Sequence, residues 1–512
     1  MTRAPAAAMD GRNALLWTVA IVAAVTLARC LVLVLSPLNL YPDEAQYWWW
    51  AQSPTFGYFS KPPMIAWIIA LTTAVFGSAE WAIRIASPIL HGTTALLVYG
   101  IARRTAEPRF SLFAALAYLT LPGIAWSSGL ISTDVPLLFF WALALYAFLC
   151  ACEDRRWRWP LLCGIAFGLG LESKYAMLYF VPGALLAALW SAKARRVVFG
   201  ARGLAILALG LLLLSPNIAW NALHGFPTVA HTEANADWAR SRYSLGGAAA
   251  FFLSQFGVFG PLLMAGLIGA LWRLASRAGR AESDLLLAAF SLPPLILILL
   301  QAFVAGANAN WAATAFVSAT PLAVAELVRW WKGRALATSF VVDGAVALLV
   351  LLLVWQPDIA DAVHAGNAFK REEGWRTLGA QVAAAADKGR YDSIAGDNRS
   401  VVAELLYYAR PRSTPISVWT RDLNIRDHFE MTMRLEPGTG HVLLAIEPKA
   451  ARRVLATFDS ATVVKRIVIG VGGGHLRAID LYDAQNYRGP LIGPARTPQQ
   501  SSEYVAKARP RS

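Results

Sequence analysis

The sequence predicts an α-helical polytopic membrane protein of about eleven transmembrane helices, followed by a C-terminal α/β domain on the outer side. Three observations carry this expectation. Of 512 residues, 57% are hydrophobic and only 15% are charged, whereas a soluble chain would carry about 25% charged residues. The apolar residues fall in long blocks as far as residue 355, and from residue 356 the composition becomes that of a soluble domain.

A span needs about 20 apolar residues to cross roughly 30 Å of hydrocarbon. Eleven blocks qualify, at about 14–36, 79–101, 110–126, 134–152, 160–172, 175–192, 203–220, 248–272, 284–303, 313–329 and 338–355. The fifth is short and reads as tilted, broken or partly re-entrant. The run MIAWIIALTTAVF at 64–76 is too short to span and reads as a helix lying at the interface. The first block is longer than a signal-peptide core and lacks a small-residue cleavage site, so it is expected to stay as an anchor.

Charge orients the spans. Connections and span ends on one side carry 18 Lys and Arg, from Arg3 and Arg12 through Arg103, Arg104 and Arg109 to Arg329, Lys332 and Arg334. The opposite loops carry four: Lys61, Lys174, Arg240 and Arg242. Basic excess marks the cytoplasmic side, which places the N-terminus inside and, after an odd number of spans, the C-terminus outside. The net charge of +14 is therefore chiefly an orientation signal. From residue 356 onward, 22 basic residues face 17 acidic ones, and no basic stripe for nucleic acid stands out. The four cysteines, Cys30, Cys150, Cys152 and Cys163, all sit in apolar blocks, with neither disulfide nor zinc-site spacing.

Beyond 356, GWRTLGAQVAAAADKGR has helical spacing, while the short apolar runs YDSIAG, HVLLAIE, ATVVKRIVIGV and HLRAIDLY look like strands, with VVAELLYYA a helix between two of them. The chain thus divides into a membrane domain (1–355), an outer α/β domain (356–485) and a Pro/Arg/Ser/Gln-rich tail (486–512) with the composition of disorder.

In a chain so poor in charge, ionisable groups in outer loops or at membrane depth need a reason. The loop 37–78 holds the densest set. Pro42, Asp43 and Glu44 make a favourable helix start, because proline is preorganised for the first turn and acids complement its positive end. Asp43 and Tyr47 share one face of that helix, and Glu44 and Trp48 the next. The alternative reading is an acidic cap followed by an interfacial belt of Trp48, Trp49 and Trp50, and for the tryptophans the belt is the favoured reading. Lys61 precedes Pro62 and Pro63, which hold the chain extended; alone it could snorkel to headgroups. Asp134 opens the fourth span and could be a cap only. Lys174 occupies a break between two spans, with Glu172 a possible partner. Arg84 lies four residues after Glu80, as an ion pair or as a fixed cation for an anionic headgroup. His91 and Arg29 read as satisfied core residues. The longest outer loop, 221–247, carries His224, His231, Glu233, Asp237, Arg240 and Arg242, a candidate lid without metal-ligand spacing. Tyr47, Tyr58 and His231 are candidates for lining a substrate cavity.

PDEAQYWWWAQ, then GYFSKPPMIAWII, then a span beginning EWAIRIASP, resembles the bacterial protein mannosyltransferase and aminoarabinose transferase superfamily of integral-membrane glycosyltransferases. The resemblance continues through STDVPLLFFW, GLGLESKYAM and SPNIAWNALHGF, over about residues 10–330. It implies the C-type glycosyltransferase (GT-C) fold, residence in the bacterial inner membrane with the outer domain periplasmic, and an activity. Such enzymes pass a sugar from a polyprenyl-phosphate carrier to an envelope acceptor (lipid A or lipopolysaccharide core, another glycan, or protein) with inversion at the anomeric carbon. By resemblance Asp43 is the catalytic base or nucleophile-orienting group, with Glu44 beside it and Asp134 a second acidic position; Lys61, Arg84 and Lys174 hold the donor phosphate. Ser60 stands where aminoarabinose transferases usually carry a glutamate before the KP pair, which weakens the case for an aminoarabinose donor.

Physical chemistry agrees with these roles. Charge develops on the departing phosphate, and preplaced cations in a water-poor cavity stabilise it. A carboxylate within reach of the acceptor hydroxyl can take its proton. The sequence requires no cofactor, although a divalent metal bridging Asp43 or Glu44 to phosphate is chemically reasonable. A secondary transporter or lipid flippase is the rival reading, but it calls for paired repeats and midplane charges on interrupted helices. A membrane-anchored binding protein whose outer domain does the work is the third.

Overall fold

A computed structural model describes residues 11–105, 110–238, 241, 243–276, 281–411 and 413–490. The tail assigned to disorder lies, beyond residue 490, outside the described residues, as do Arg3, Arg109, Arg240, Arg242, Arg277 and Arg280. The chain forms two compact units: Met1–Ser36, Lys61–Ala219 and Thr232–Trp355 in the first, Pro37–Ser60, Trp220–His231 and Gln356–Ser512 in the second.

The first unit is helical. Among the described residues, six helical stretches are long and apolar enough to cross a membrane: Arg12–Leu35, Glu80–Thr105 (the short helix Glu80–Arg84 followed by Ala86–Thr105), Asp134–Glu153, Ala201–Leu223, Glu282–Val304 and Ala315–Trp355, the last composed of helices Ala315–Arg329 and Arg334–Trp355 with a kink at Trp331 and Lys332 between them. Counting the pair Leu245–Phe259 and Pro261–Ala275 as one broken span raises the number to seven. Eleven full-length spans are therefore not met by length and composition, and the reason is local. Several of the apolar blocks are cut by backbone breaks. The block at 248–272 bends by 114°, because Gly260 takes φ +90° and Pro261 starts a new helix. Only glycine adopts that φ readily. The block at 110–126 is cut at Leu121 before Pro122, giving helices Ser111–Thr120 and Pro122–Ser127. The run at 64–76 is a helix, Met64–Phe76.

Between helices in a membrane, close packing replaces the hydrophobic effect as the main attraction. Trp141, Phe148, Phe180 and Phe290 interlock at the centre, with Phe180 and Phe290 ring centroids 4.7 Å apart and Trp141 edge-on to Phe180 at 5.4 Å. Helix Arg158–Ser173 lies directly on helix Ala201–Leu223 through Gly164 and Gly168. A Cβ on Gly168 would fall 2.8 Å from Leu213 Cβ and 3.0 Å from the Gly210 carbonyl oxygen. This is the close approach that a small-xxx-small spacing permits. Arg273 joins two helices by ion pairs to Asp284 (2.7 Å) and Glu326 (2.9 Å).

The second unit carries a five-stranded sheet of order β2-β1-β3-β5-β4, with β1 Ser393–Gly396, β2 Ile416–Val418, β3 His441–Ile446, β4 Phe458–Val471 and β5 His475–Tyr487. β1 is parallel to β2 and β3, while β5 is antiparallel to both β3 and β4. Each of the four runs read as strands falls on one: β1 and β3 lie within their runs, whereas β4 begins three residues before its run and β5 continues five residues past its own, to Tyr487, two residues into the segment assigned to the tail. β2 was not foreseen, because three residues are too short to show alternation. Helix Arg399–Tyr408 connects β1 to β2 and is capped by Asn398 Oδ1, which accepts from the Ser400 and Val401 amides. Helix Trp375–Ala386 packs against it.

Candidate active site

In the second unit, helix Pro42–Ala51 starts as its sequence dictates. Pro42 fills the first turn, and Glu44, 1% exposed, accepts the Tyr41 amide at 2.8 Å. The Glu44 carboxylate thus satisfies a backbone donor that the helix itself cannot. The neighbouring carboxylate is placed differently. Asp43 Oδ1 accepts from Arg399 Nη1 at 2.6 Å, and the same nitrogen donates to Gln46 Oε1 at 2.9 Å. Burial works against the Arg399 guanidinium, but the Asp43 charge outweighs it and holds the group above its usual range.

The tryptophans of this helix do not form a membrane-facing belt. Trp48 and Trp50 are 4% and 1% exposed, packed within their own unit. Trp48 meets Tyr407 edge-on at 5.0 Å, and the Arg410 guanidinium lies over both rings at 4.2 and 4.0 Å. Trp50 stacks on Tyr58 at 4.4 Å, and His428 stands edge-on to both. The belt reading fails because helix Pro42–Ala51 packs along helix Arg399–Tyr408, a neighbour more than 350 residues away that hydropathy does not reveal.

Of the cavity candidates, Tyr47 and Tyr58 are buried, and the Tyr58 hydroxyl donates to the Trp50 carbonyl at 3.0 Å. Burial raises the Tyr58 pKa. His231 meets Phe59 edge-on at 5.7 Å. Burial also drives the His428 pKa down to about 4, with His224 adding a smaller push in the same direction.

In the first unit, Asp134 begins helix Asp134–Glu153. Lys174 sits at an extended break (φ −164°, ψ 136°) after helix Arg158–Ser173. Lys174 Nζ donates to Asp134 Oδ1 at 2.7 Å, and Asn310 Nδ2 donates to Asp134 Oδ2 at 2.8 Å. The sequence offered Glu172 as the partner of Lys174. Instead Glu172 is buried, and neither carboxylate oxygen has a hydrogen-bond partner among the described residues. Arg84 ends the short helix Glu80–Arg84 and is 2% exposed. Lys61 is half-buried ahead of the buried Pro62 and Pro63. His91 is a satisfied core residue, as expected, 3.3 Å from the Tyr118 hydroxyl and 3.0 Å from Ser127 Oγ. Arg29 is buried and donates through Nη2 to the Leu119 carbonyl at 2.7 Å, but its Nη1 has no hydrogen-bond partner among the described residues, so it is only partly satisfied.

Sequence reasoning missed Arg399, Gln46 and Asn310. Only Gln46 carried a local signal, three residues after Asp43 on the same helix face. Among the described residues, no group of three or more His, Cys, Asp or Glu is disposed to hold a metal. Of the pair offered for a metal, Glu44 Oε2 accepts the Tyr41 amide and Asp43 Oδ1 accepts from Arg399, which leaves Asp43 Oδ2 open.

Residues 60–220 match the dolichyl-phosphate-mannose-protein mannosyltransferase family. The chain is 38% identical over 408 residues to the lipid A galacturonosyltransferase RgtD of Rhizobium johnstonii, covering 79% of this chain and 84% of that one. It is 35% identical over 201 residues to the undecaprenyl phosphate-alpha-4-amino-4-deoxy-L-arabinose arabinosyl transferase of Pseudomonas aeruginosa, covering 35% of this chain and 36% of the relative. Its fold resembles ArnT from Cupriavidus metallidurans bound to undecaprenyl phosphate, with a TM-score of 0.61 at 18% identity over 91% of this chain and 98% of that one. The apo form of the same protein gives a TM-score of 0.62 at 16% identity over 91% and 97%. Identity sustained along most of both chains, on a helical multi-pass scaffold, makes this protein a membrane glycosyltransferase that belongs to the GT-C family of RgtD and the ArnT aminoarabinose transferases.

Proposed function

We propose that this enzyme is an inverting transferase that moves galacturonic acid from an undecaprenyl-phosphate carrier to lipid A, at the periplasmic face of a bacterial inner membrane. The observation that carries the reading is the 38% identity spanning 84% of a lipid A galacturonosyltransferase. Ser60 supports the sugar: a glutamate near the donor would attract an amino sugar and repel a uronate, and serine removes that repulsion.

The acceptor oxygen attacks the anomeric carbon as its bond to the phosphate oxygen breaks. Asp43 takes the acceptor proton, and polyprenyl monophosphate leaves with the bonding electrons. Lys61, Arg84 and Lys174 stabilise the charge that grows on that phosphate, and Asp134 keeps Lys174 in place. The topology proposed with it has eleven membrane passes, with the shorter apolar helices and the broken pair supplying those that fall short of full length. The N-terminus is cytoplasmic and the sheet-bearing segment from 356 onward is a periplasmic α/β domain.

Purified protein given labelled undecaprenyl-phosphate galacturonic acid and lipid A should form labelled lipid A, and should do so poorly with the aminoarabinose donor. Asp43→Asn and Lys61→Ala should each abolish transfer. Full transfer by both variants in folded protein would sink the assignment.

A further inference from the structure

Arg399 lies 356 residues from Asp43, yet it makes the shortest contact to that carboxylate. It is the first residue of helix Arg399–Tyr408, fixed in place by the Asn398 cap immediately before it. Its Nη1 bridges Asp43 Oδ1 (2.6 Å) and Gln46 Oε1 (2.9 Å), two side chains three residues apart on helix Pro42–Ala51. Asp43 Oδ2 has no hydrogen-bond partner among the described residues, and its side chain is 38% exposed. One oxygen is held and the other is presented.

We propose that Arg399 is a positioning residue for the transfer reaction, locking the Asp43 carboxylate through Oδ1 and Gln46 so that Oδ2 faces the acceptor proton. The inference rests on Asp43 being the reacting carboxylate. The torsion that turns an aspartate carboxylate is broad and roughly two-fold, so an untethered Asp43 would sample orientations with neither oxygen aimed. A charge-assisted hydrogen bond of this length is among the stronger restraints available. The guanidinium does not itself receive the proton, which passes from the acceptor hydroxyl to Oδ2 as the new carbon–oxygen bond forms. In consequence, the segment beyond residue 356 supplies a group on which the reaction depends.

The test uses the full-length protein with undecaprenyl-phosphate galacturonic acid and lipid A. Arg399→Gln keeps the length of the side chain but loses its charge; a 1 Å misplacement of a reacting group costs about 100-fold, so kcat should fall about 100-fold with the donor KM within about twofold of wild type. Arg399→Lys, which can reach Oδ1 with one charge, should recover a large part of the loss. Gln46→Ala, which removes the second tie and spares the ion pair, should lower kcat by a smaller factor. Melting temperature is measured for each variant to separate unfolding from misaim. Wild-type kcat in Arg399→Gln beside an inactive Asp43→Asn would overturn the inference alone. So would a loss carried by donor KM, or a folded Arg399→Lys as inactive as Arg399→Gln. An active Asp43→Asn would instead overturn the reading on which the inference rests.

Discussion

Lys174 and Asp134 meet at 2.7 Å across 40 residues of chain, and Asn310 reaches the other oxygen of the same carboxylate. The lysine is thereby fixed at a break between two helices, in a setting where both side chains are mostly withdrawn from solvent, 23% and 13% exposed. Breaking such a pair leaves one partner charged and unmatched.

Asp134→Ala should therefore destabilise the protein by about 3 kcal/mol, seen as a lower melting temperature in detergent. Asp134→Asn keeps one acceptor oxygen and should fall between the two. Transfer should decline with both, with donor KM rising as Lys174 loses its anchor. An Asp134→Ala protein with unchanged melting and donor KM would show that the pair does neither job.

The Asp134–Lys174 pair also shows where sequence reading stops. Both residues stood out, because isolated charges in an apolar chain do, but the partner offered for Lys174 was the nearest acid, Glu172. The true partner is set by how helix Asp134–Glu153 packs on helix Arg158–Ser173, which spacing along the chain does not encode. The same limit hid Arg399, since nothing in DNRS points at Asp43. Strands β1, β3, β4 and β5 and helix Arg399–Tyr408 were legible because short apolar runs and helical spacing are local properties. The bend at Gly260-Pro261 was visible as a dipeptide but was read through, because hydropathy measures how apolar a block is and not where its axis points.

The buried tryptophans separate a core from a membrane belt. Trp50→Ala should cost about 3–5 kcal/mol, as loss of a large core aromatic does. Trp49, less buried on the same helix, should cost less than about 1 kcal/mol when changed to alanine. Thermal unfolding of the two variants decides the matter; equal and small effects would restore the belt.

Glycine substitutions test the helix packing. Gly168→Ala places a methyl group 2.8 Å from Leu213 Cβ and 3.0 Å from a backbone oxygen that cannot turn aside, a clash worth about 1–3 kcal/mol. Gly257→Ala, on helix Leu245–Phe259 with nothing within 4 Å of the new methyl, should be neutral or stabilise by up to about 1 kcal/mol through helix propensity. Melting temperatures of the two single variants in the same detergent should move in opposite directions or differ by several degrees.

His428 gives the second unit a pH dependence whose sign is fixed. Its ring stands against Trp50 and Tyr58, and burial, with His224 adding to it, lowers its pKa from 6.5 to about 4. The folded state thus favours the neutral ring. Its contribution is fully present above pH 6.5 and is lost as the pH falls towards 4, on the order of 3 kcal/mol for a shift of this size. Asp397 works the other way. Burial and then Glu447 raise its pKa from 3.8 to about 6, so its contribution is present below pH 3.8 and is lost as the pH rises to about 6. Between pH 4 and 6 Asp397 opposes His428, and the carboxyls of Asp427, Glu430 and Glu373, each raised by burial, act in the same sense as Asp397. The effect of His428 is therefore read as a difference between proteins at each pH. His428→Phe should gain melting temperature relative to wild type on acidification from pH 6.5 to 4, and Asp397→Asn should lose it. If His428→Phe and wild type differ by the same amount at pH 6.5 and at pH 4, His428 is not held neutral by the aromatic cluster.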